Sequence, residues 1–255
     1  MLAFSVNCLC CLLERNRNSS SQYDLQVKGV VNTVLPKDLP KRAVKKRFLN
    51  VTLAASAVIV AALVTGFTLW PRSPAMLAES DHMATAGVFQ HWQSGDVVVL
   101  VRHAERCDQS KNPCLGPADG ITQVGSAAAT DVGKGFNALG MDHADVFSSP
   151  ATRTMQTAQY MFGKEASHQE WLAQCGKTMR DEVVAHKTAH RNLVLVTHSG
   201  CISDFEKQTG FKHAPTSQYT SALFVSVTAD GQLKVLGIVN SGDWPAVLDK
   251  RFASK

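Results

Sequence analysis

Two histidines and three arginines each follow an apolar run of strand length. Arg102-His103-Ala104-Glu105-Arg106 follows Val97 to Val101, Ser149-Pro150-Ala151-Thr152-Arg153 follows Asp145 to Ser148, and His198-Ser199-Gly200 follows Leu193 to Thr197. Guanidinium groups present planar forks of N–H donors that match phosphoryl oxygens. An imidazole among such charges has its neutral form favoured, so a ring nitrogen keeps a lone pair for attack on phosphorus. The guanidiniums then stabilise charge on the equatorial oxygens, and the second imidazole donates a hydrogen bond to them. No metal and no cofactor are expected, because Arg102, Arg106 and Arg153 would repel a cation and no third ligand has convincing spacing. Cysteine-based phosphoryl transfer is not expected either. It needs an arginine six positions after the cysteine, where Cys201 reaches Lys207 and Cys107 reaches Pro113.

Positioning these groups needs strands that end together. The pattern predicts strands at 96–101, 145–148, 193–197, 222–228 and 233–239. It predicts helices around 122–139, 150–162 and 177–190, with a short one after Gly200. Strands 97–101 and 193–196 are continuously apolar, as strands buried on both faces are. The last two strands, joined through Asp230-Gly231, read as an antiparallel hairpin. The class is α/β, a three-layer α/β/α sandwich, and such sheets bind ligands outside the carboxyl ends of their strands. Ser149 as N-cap and Pro150 at the first helical position would place Arg153 in the opening turns of a helix, whose N-terminus attracts anions.

Of 255 residues, 26 are Lys or Arg and 21 are Asp or Glu, a net charge of +5. Residues 1–47 hold nine of the basic residues and three of the acidic ones, a net of +6, so residues 48–255 carry −1. The excess is therefore no nucleic-acid signal, and no nucleic-acid partner is expected. Its densest part, from Lys41 to Arg47, precedes an uncharged apolar run from Phe48 to Trp70. At about 1.5 Å per residue that run matches a hydrocarbon core of roughly 30 Å. The expected organisation is a disordered basic cytoplasmic leader (1–47), a transmembrane anchor or uncleaved signal (48–70), a linker (71–87) and a folded domain (88–255). The basic flank orients the anchor with the folded domain outside the cytoplasm.

The motif segments resemble the histidine phosphatase superfamily, with its phosphoglycerate mutase-like fold, over about residues 96–239. Arg102-His103 is similar to the family's Arg-His-Gly signature, with Ala104 in place of glycine. The resemblance implies a phosphohistidine nucleophile at His103 and phosphate ligands at Arg102, Arg153 and Arg106, with His198 as the second histidine. The stretches from Arg102 to Asp108 and from His198 to Cys201 further resemble a bacterial subgroup that dephosphorylates a lipopolysaccharide core sugar. That implies a phosphomonoester hydrolase acting on a phosphorylated small molecule or glycan from a single-pass inner-membrane anchor, with its catalytic domain in the periplasm. The alternatives are a protein phosphohistidine phosphatase or a mutase of the same fold, and, in another class, a non-catalytic phosphoglycan-binding envelope domain.

The general acid is expected between Arg153 and His198, with Glu170 and Asp181 as candidates. Glu105, beside the nucleophile, would orient it or fix Arg106. Asp204, Glu206 and Lys207 read as an exposed helix face. Outside the cytoplasm Cys107, Cys114, Cys175 and Cys201 can pair in three ways, of which Cys107–Cys114 with Cys175–Cys201 is favoured. Reduced, buried thiols are the alternative.

Overall fold

The computed structural model describes residues 41–69, 73–228 and 230–253. Helix α1 spans Lys41–Leu69, and its 19 residues Leu49–Phe67 are long and apolar enough to cross a membrane. Its hydroxyl groups are accommodated locally: Thr52 Oγ1 donates to the Leu49 carbonyl (2.9 Å) and Ser56 Oγ to that of Thr52 (2.8 Å). Residues 41–47, expected to be disordered, are helical, because no Gly or Pro separates Lys41 from the apolar run. Residues 1–40, including Cys8, Cys10 and Cys11, lie outside the described residues, as does Trp70.

The packed domain begins with the short helices α2 (His82–Thr85) and α3 (Val88–Ser94). Then follow β1 (Val97–Arg102), α4 (Gln123–Leu139), β2 (Ala144–Ser148), α5 (Thr152–Phe162) and β3 (Ser167–His168). The chain continues through α6 (Met179–Ala185), β4 (Asn192–Thr197), α7 (Ser199–Gln208), β5 (Ala222–Val227), β6 (Leu233–Val239) and α8 (Trp244–Ala253). One sheet has the order β3-β2-β4-β1-β5-β6; its first four strands are parallel, and β5 and β6 are antiparallel additions.

The apolar runs of β1 and β4 are explained by two cores. Val97, Val99 and Val101 pack with Val132, Phe136 and Met161 on one face, and Val98 and Leu100 with Val183, Ile202 and Phe205 on the other. Each such buried side chain contributes about 1.5–3 kcal/mol, so a polar residue at any of these strand positions would be costly whichever face it met. Gly133 lets α4 approach α5 closely, since any side chain there would strike the Met161 carbonyl.

Three expectations are corrected. The linker does not run to Gly87: Leu77 and Met83 are fully buried, and Leu77 N–H donates to the Ile238 carbonyl (2.9 Å). Helix α6 is shorter than its pattern, ending at Ala185 before the turn that gives His190 a positive φ. Glu206 is not exposed with Asp204 and Lys207; it is 2% exposed, and burial pushes its carboxyl up to about 7. The folded-state value lies above the unfolded one, so the contribution of Glu206 is fully present below about pH 4.5 and is lost as pH rises through 7. Glu206→Gln is therefore expected to raise the thermal midpoint at pH 8 and to leave it nearly unchanged at pH 4, as calorimetry at both values will show.

Cys175 and Cys201 form a disulfide (Cα–Cα 5.1 Å) that ties the segment after β3 to the first turn of α7. Cys107 and Cys114 are free thiols, so the second expected bridge is not formed. Cys107 is buried and donates instead to the Ile121 carbonyl (3.1 Å). With its cysteines 26 positions apart in sequence, the closed bridge is expected to contribute about 3 kcal/mol. A Cys175→Ser, Cys201→Ser double variant should lower the urea midpoint accordingly, and reductant should then have no further effect.

Candidate active site

Sheet register brings the three motif segments to one level. Arg102 pairs with Thr197 across β1 and β4, and Ser148 with Val196 across β2 and β4. The ladder continues one residue past the strands: His103 N–H donates to the Thr197 carbonyl (2.9 Å) and Ser149 N–H to that of Val196 (3.0 Å). His103 and His198 meet there edge to face, with ring centroids 5.4 Å apart.

The partners of each ring fix its tautomer. His103 Nδ1 lies 2.8 Å from the Ala104 carbonyl, which only accepts, so Nδ1 carries the proton and Nε2 keeps the lone pair. His198 Nδ1 lies 3.2 Å from Arg153 Nη2, which only donates, so here Nδ1 accepts and Nε2–H donates to Ser149 Oγ (2.9 Å). Both rings are neutral at pH 7. Burial first, then His198, Arg153 and Arg102, lower His103 to about 3; burial, Arg153 and Arg106 lower His198 to about 4. His103 is 3% exposed.

The three guanidiniums differ. Arg102 donates through Nη1 to the Ser217 carbonyl (2.6 Å), and Arg153 reaches His198. Both have a buried Nε without a hydrogen-bond partner among the described residues. Burial lowers the pKa of each from the ordinary arginine value. Arg106 stands nearer solvent in a bidentate pair with Asp108, with Nε–Oδ1 at 2.7 Å and Nη2 on Oδ2. One hydroxyl locks the scaffold: Thr157 Oγ1 accepts from Ala104 N–H (2.9 Å) and donates to the Arg153 carbonyl (2.6 Å), so the loop of the first motif rests on α5.

Several expected roles change with this geometry. Ser149 is not a helix cap; α5 starts at Thr152 with Ala151 before it, and the Ser149 hydroxyl serves His198 instead. Glu105 touches neither His103 nor Arg106 through its carboxylate, which accepts from Thr122 Oγ1 (2.7 Å) and Asn112 Nδ2 (2.9 Å) and so braces the loop before α4. Glu170 is exposed just after β3, beside this rim, where Gln169 N–H donates to the Ser148 carbonyl (2.8 Å). Asp181 is not brought to the site. It lies on α6 against Arg180 (3.6 Å), and Arg180 N–H is held by Gln208 at the opposite end of α7 from His198.

The sequence reading missed Asp108 and Tyr219. Tyr219 covers Arg102, with Cζ of the arginine 3.8 Å from the ring centroid, and its own centroid is 5.7 Å from that of His103. A signal for it existed in the expected hairpin. A strand antiparallel to β1 must begin where β1 ends, so the residues just before β5 lie on the same rim.

Residues 98–174 match the model of the histidine phosphatase superfamily (branch 1). The chain is 36% identical over 141 residues to the lipopolysaccharide core heptose(II)-phosphate phosphatase of Salmonella arizonae, a match covering 54% of this chain and 68% of that protein. It is 38% identical over 118 residues to the Escherichia coli protein of the same name, covering 45% of this chain and 58% of the relative, less than two thirds of its length. Among solved structures, Entamoeba histolytica phosphoserine phosphatase in complex with 3-phosphoglyceric acid is 15% identical, with a TM-score of 0.47 over 58% of this chain and 98% of that one.

Proposed function

We propose, since this chain belongs to the histidine phosphatase superfamily and is a phosphoric monoester hydrolase, that it works through a phosphohistidine at His103 on a phosphorylated sugar of the lipopolysaccharide core. The carrying observation is the pair of buried Nε–H groups of Arg102 and Arg153, without hydrogen-bond partners among the described residues, beside a histidine whose Nδ1 faces the Ala104 carbonyl and so leaves Nε2 free to attack. Buried N–H donors left unpaired by the protein are costly, and phosphoryl oxygens satisfy them.

His103 Nε2 attacks phosphorus, the P–O bond to the sugar breaks, and the electron pair leaves with the sugar oxygen, which takes up a proton. Glu170 follows Gln169, whose N–H bonds the Ser148 carbonyl at this rim, and supplies that proton. Arg102, Arg153 and Arg106 hold the equatorial oxygens, Arg106 exchanging the Asp108 carboxylate for phosphate. His198, neutral with Nε2–H available, turns its donor from Ser149 to the phosphoryl group. Water then cleaves the P–N bond, releasing phosphate and restoring His103.

The substrate class rests on the names of the 36–38% identical relatives. Helix α1, with its Lys and Arg at the N-terminal end, supports a single-pass anchor with the domain on the periplasmic side of the bacterial inner membrane. The Cys175–Cys201 bridge agrees with an oxidising compartment.

The test uses the full chain in detergent with p-nitrophenyl phosphate in the presence of chelator. Hydrolysis and an acid-labile phosphoenzyme are expected, and absence of both overturns the reading. Phosphate release from lipopolysaccharide core carrying phosphoheptose, and none from a phosphohistidine peptide, separates the sugar substrate from the protein one.

A further inference from the structure

Four contacts converge on Arg102 from the segment between Ser217 and Ser221. The Ser217 carbonyl takes Nη1 (2.6 Å), Thr220 N–H donates to the Arg102 carbonyl (3.1 Å), Arg102 N–H donates to the Ser221 carbonyl (3.0 Å), and Cζ of the guanidinium lies over the Tyr219 ring, 3.8 Å from its centroid. The backbone bends unfavourably to make them. Thr220 is buried with φ +57°, a left-handed conformation that is an outlier for a β-branched residue. Strain of this kind persists where surrounding contacts enforce it, and it concentrates at functional sites. Beyond Arg102, the Tyr219 hydroxyl donates to Gln109 Oε1 (3.2 Å), three residues after Arg106.

A guanidinium has two faces and a rim of N–H donors. With one face on Tyr219 and Nη1 on Ser217, Arg102 is fixed in plane and keeps its unpartnered Nε for a ligand. We infer that Tyr219 is a positioning residue, acting through Arg102 to hold that rim toward the phosphoryl group. The inference rests on the phosphatase reading above. Stacking on the π face also offsets what the buried cation loses in hydration, an effect that an aliphatic side chain of similar size does not supply.

The experiment compares Tyr219→Leu and Tyr219→Phe in the full-length protein, measuring inorganic phosphate binding by calorimetry and p-nitrophenyl phosphate hydrolysis in parallel. Tyr219→Leu is expected to weaken phosphate binding about tenfold and to lower kcat/KM by at least that factor. Tyr219→Phe, which keeps the ring, should stay within about threefold of wild type on both. Because Tyr219 is only half-buried, thermal midpoints should remain close to wild type; if the leucine variant does not fold, Tyr219→Gln takes its place with the same expectation. A purely structural role would shift the midpoint and leave phosphate affinity unchanged. Wild-type phosphate affinity in the leucine or glutamine variant, or equal losses in the leucine and phenylalanine variants, overturns the inference while wild-type hydrolysis leaves the phosphatase reading standing. A wild-type protein that neither binds nor releases phosphate overturns both.

Discussion

His103→Ala is expected to lower kcat/KM for p-nitrophenyl phosphate by about 10⁴-fold or more and to abolish the acid-labile phosphoenzyme, on the scale seen when a covalent nucleophile is removed. The loss should fall on kcat. Arg102, Arg106 and Arg153 remain in the variant, so inorganic phosphate should bind within a few-fold of wild type. The wild-type ring needs no activation by a base: its value of about 3 leaves it neutral throughout the neutral range, and the Ala104 carbonyl holds the proton on Nδ1. Rapid-quench trapping with labelled substrate checks the intermediate, and steady-state rates check the turnover. A variant that hydrolyses as fast as wild type would show that phosphorus is attacked by some other group.

Arg153→Met carries the second largest expected effect, a loss of about 10²–10³-fold in kcat, the range for one transition-state donor. The guanidinium has two tasks, and methionine keeps only the packing of its stem. Its buried Nε–H has no hydrogen-bond partner among the described residues, and its Nη2 donates to His198 Nδ1 (3.2 Å). Without that donor, His198 loses both a nearby positive charge and the bond that fixes its tautomer. Because Arg153 is the largest cause after burial of the low His198 value, the variant should move that value up from about 4 while burial keeps it below the ordinary 6.5. The acid limb of the kcat/KM profile should shift upward accordingly, and titration of the His198 ring by NMR reads the same change directly. Arg153→Lys should recover little, since an ammonium group cannot span two acceptors as a guanidinium does.

Much of this site was legible because it hangs on buried strands. The runs ending at Val101 and Thr197 are apolar on both faces, and a strand that must be buried on both sides can only lie mid-sheet. Once those strands were placed, Arg102, His103 and His198 followed by chain continuity, and Arg153 by the helix after Ser148. What could not be read were contacts between segments distant in the chain. Ser149 has the residue type of a helix cap, yet His198, 49 positions later, takes its hydroxyl. Glu206 lies in a helical stretch of mixed polarity, where a helix phase error of one residue decides between solvent and core. Tyr219 belongs to a loop without periodicity, and only the assembled sheet shows that it reaches Arg102, while Asp108 sits in a short 3-10 turn whose pairing with Arg106, two residues away, no periodic pattern announces.

The pairing of Arg102 with Thr197 and of Ser148 with Val196 sets the tolerances of the catalyst. A strand advances about 3.3 Å per residue and alternates its faces, so one residue inserted within β4 would displace His198 by more than a hydrogen-bond length and reverse the side on which it emerges. Loops between the strands can lengthen or shorten without such an effect, since the strand ends still coincide. Among descendants of this sequence, length variation should therefore accumulate between strands and be purged within them, and the reactive groups would stay aligned while the surrounding surface diverged.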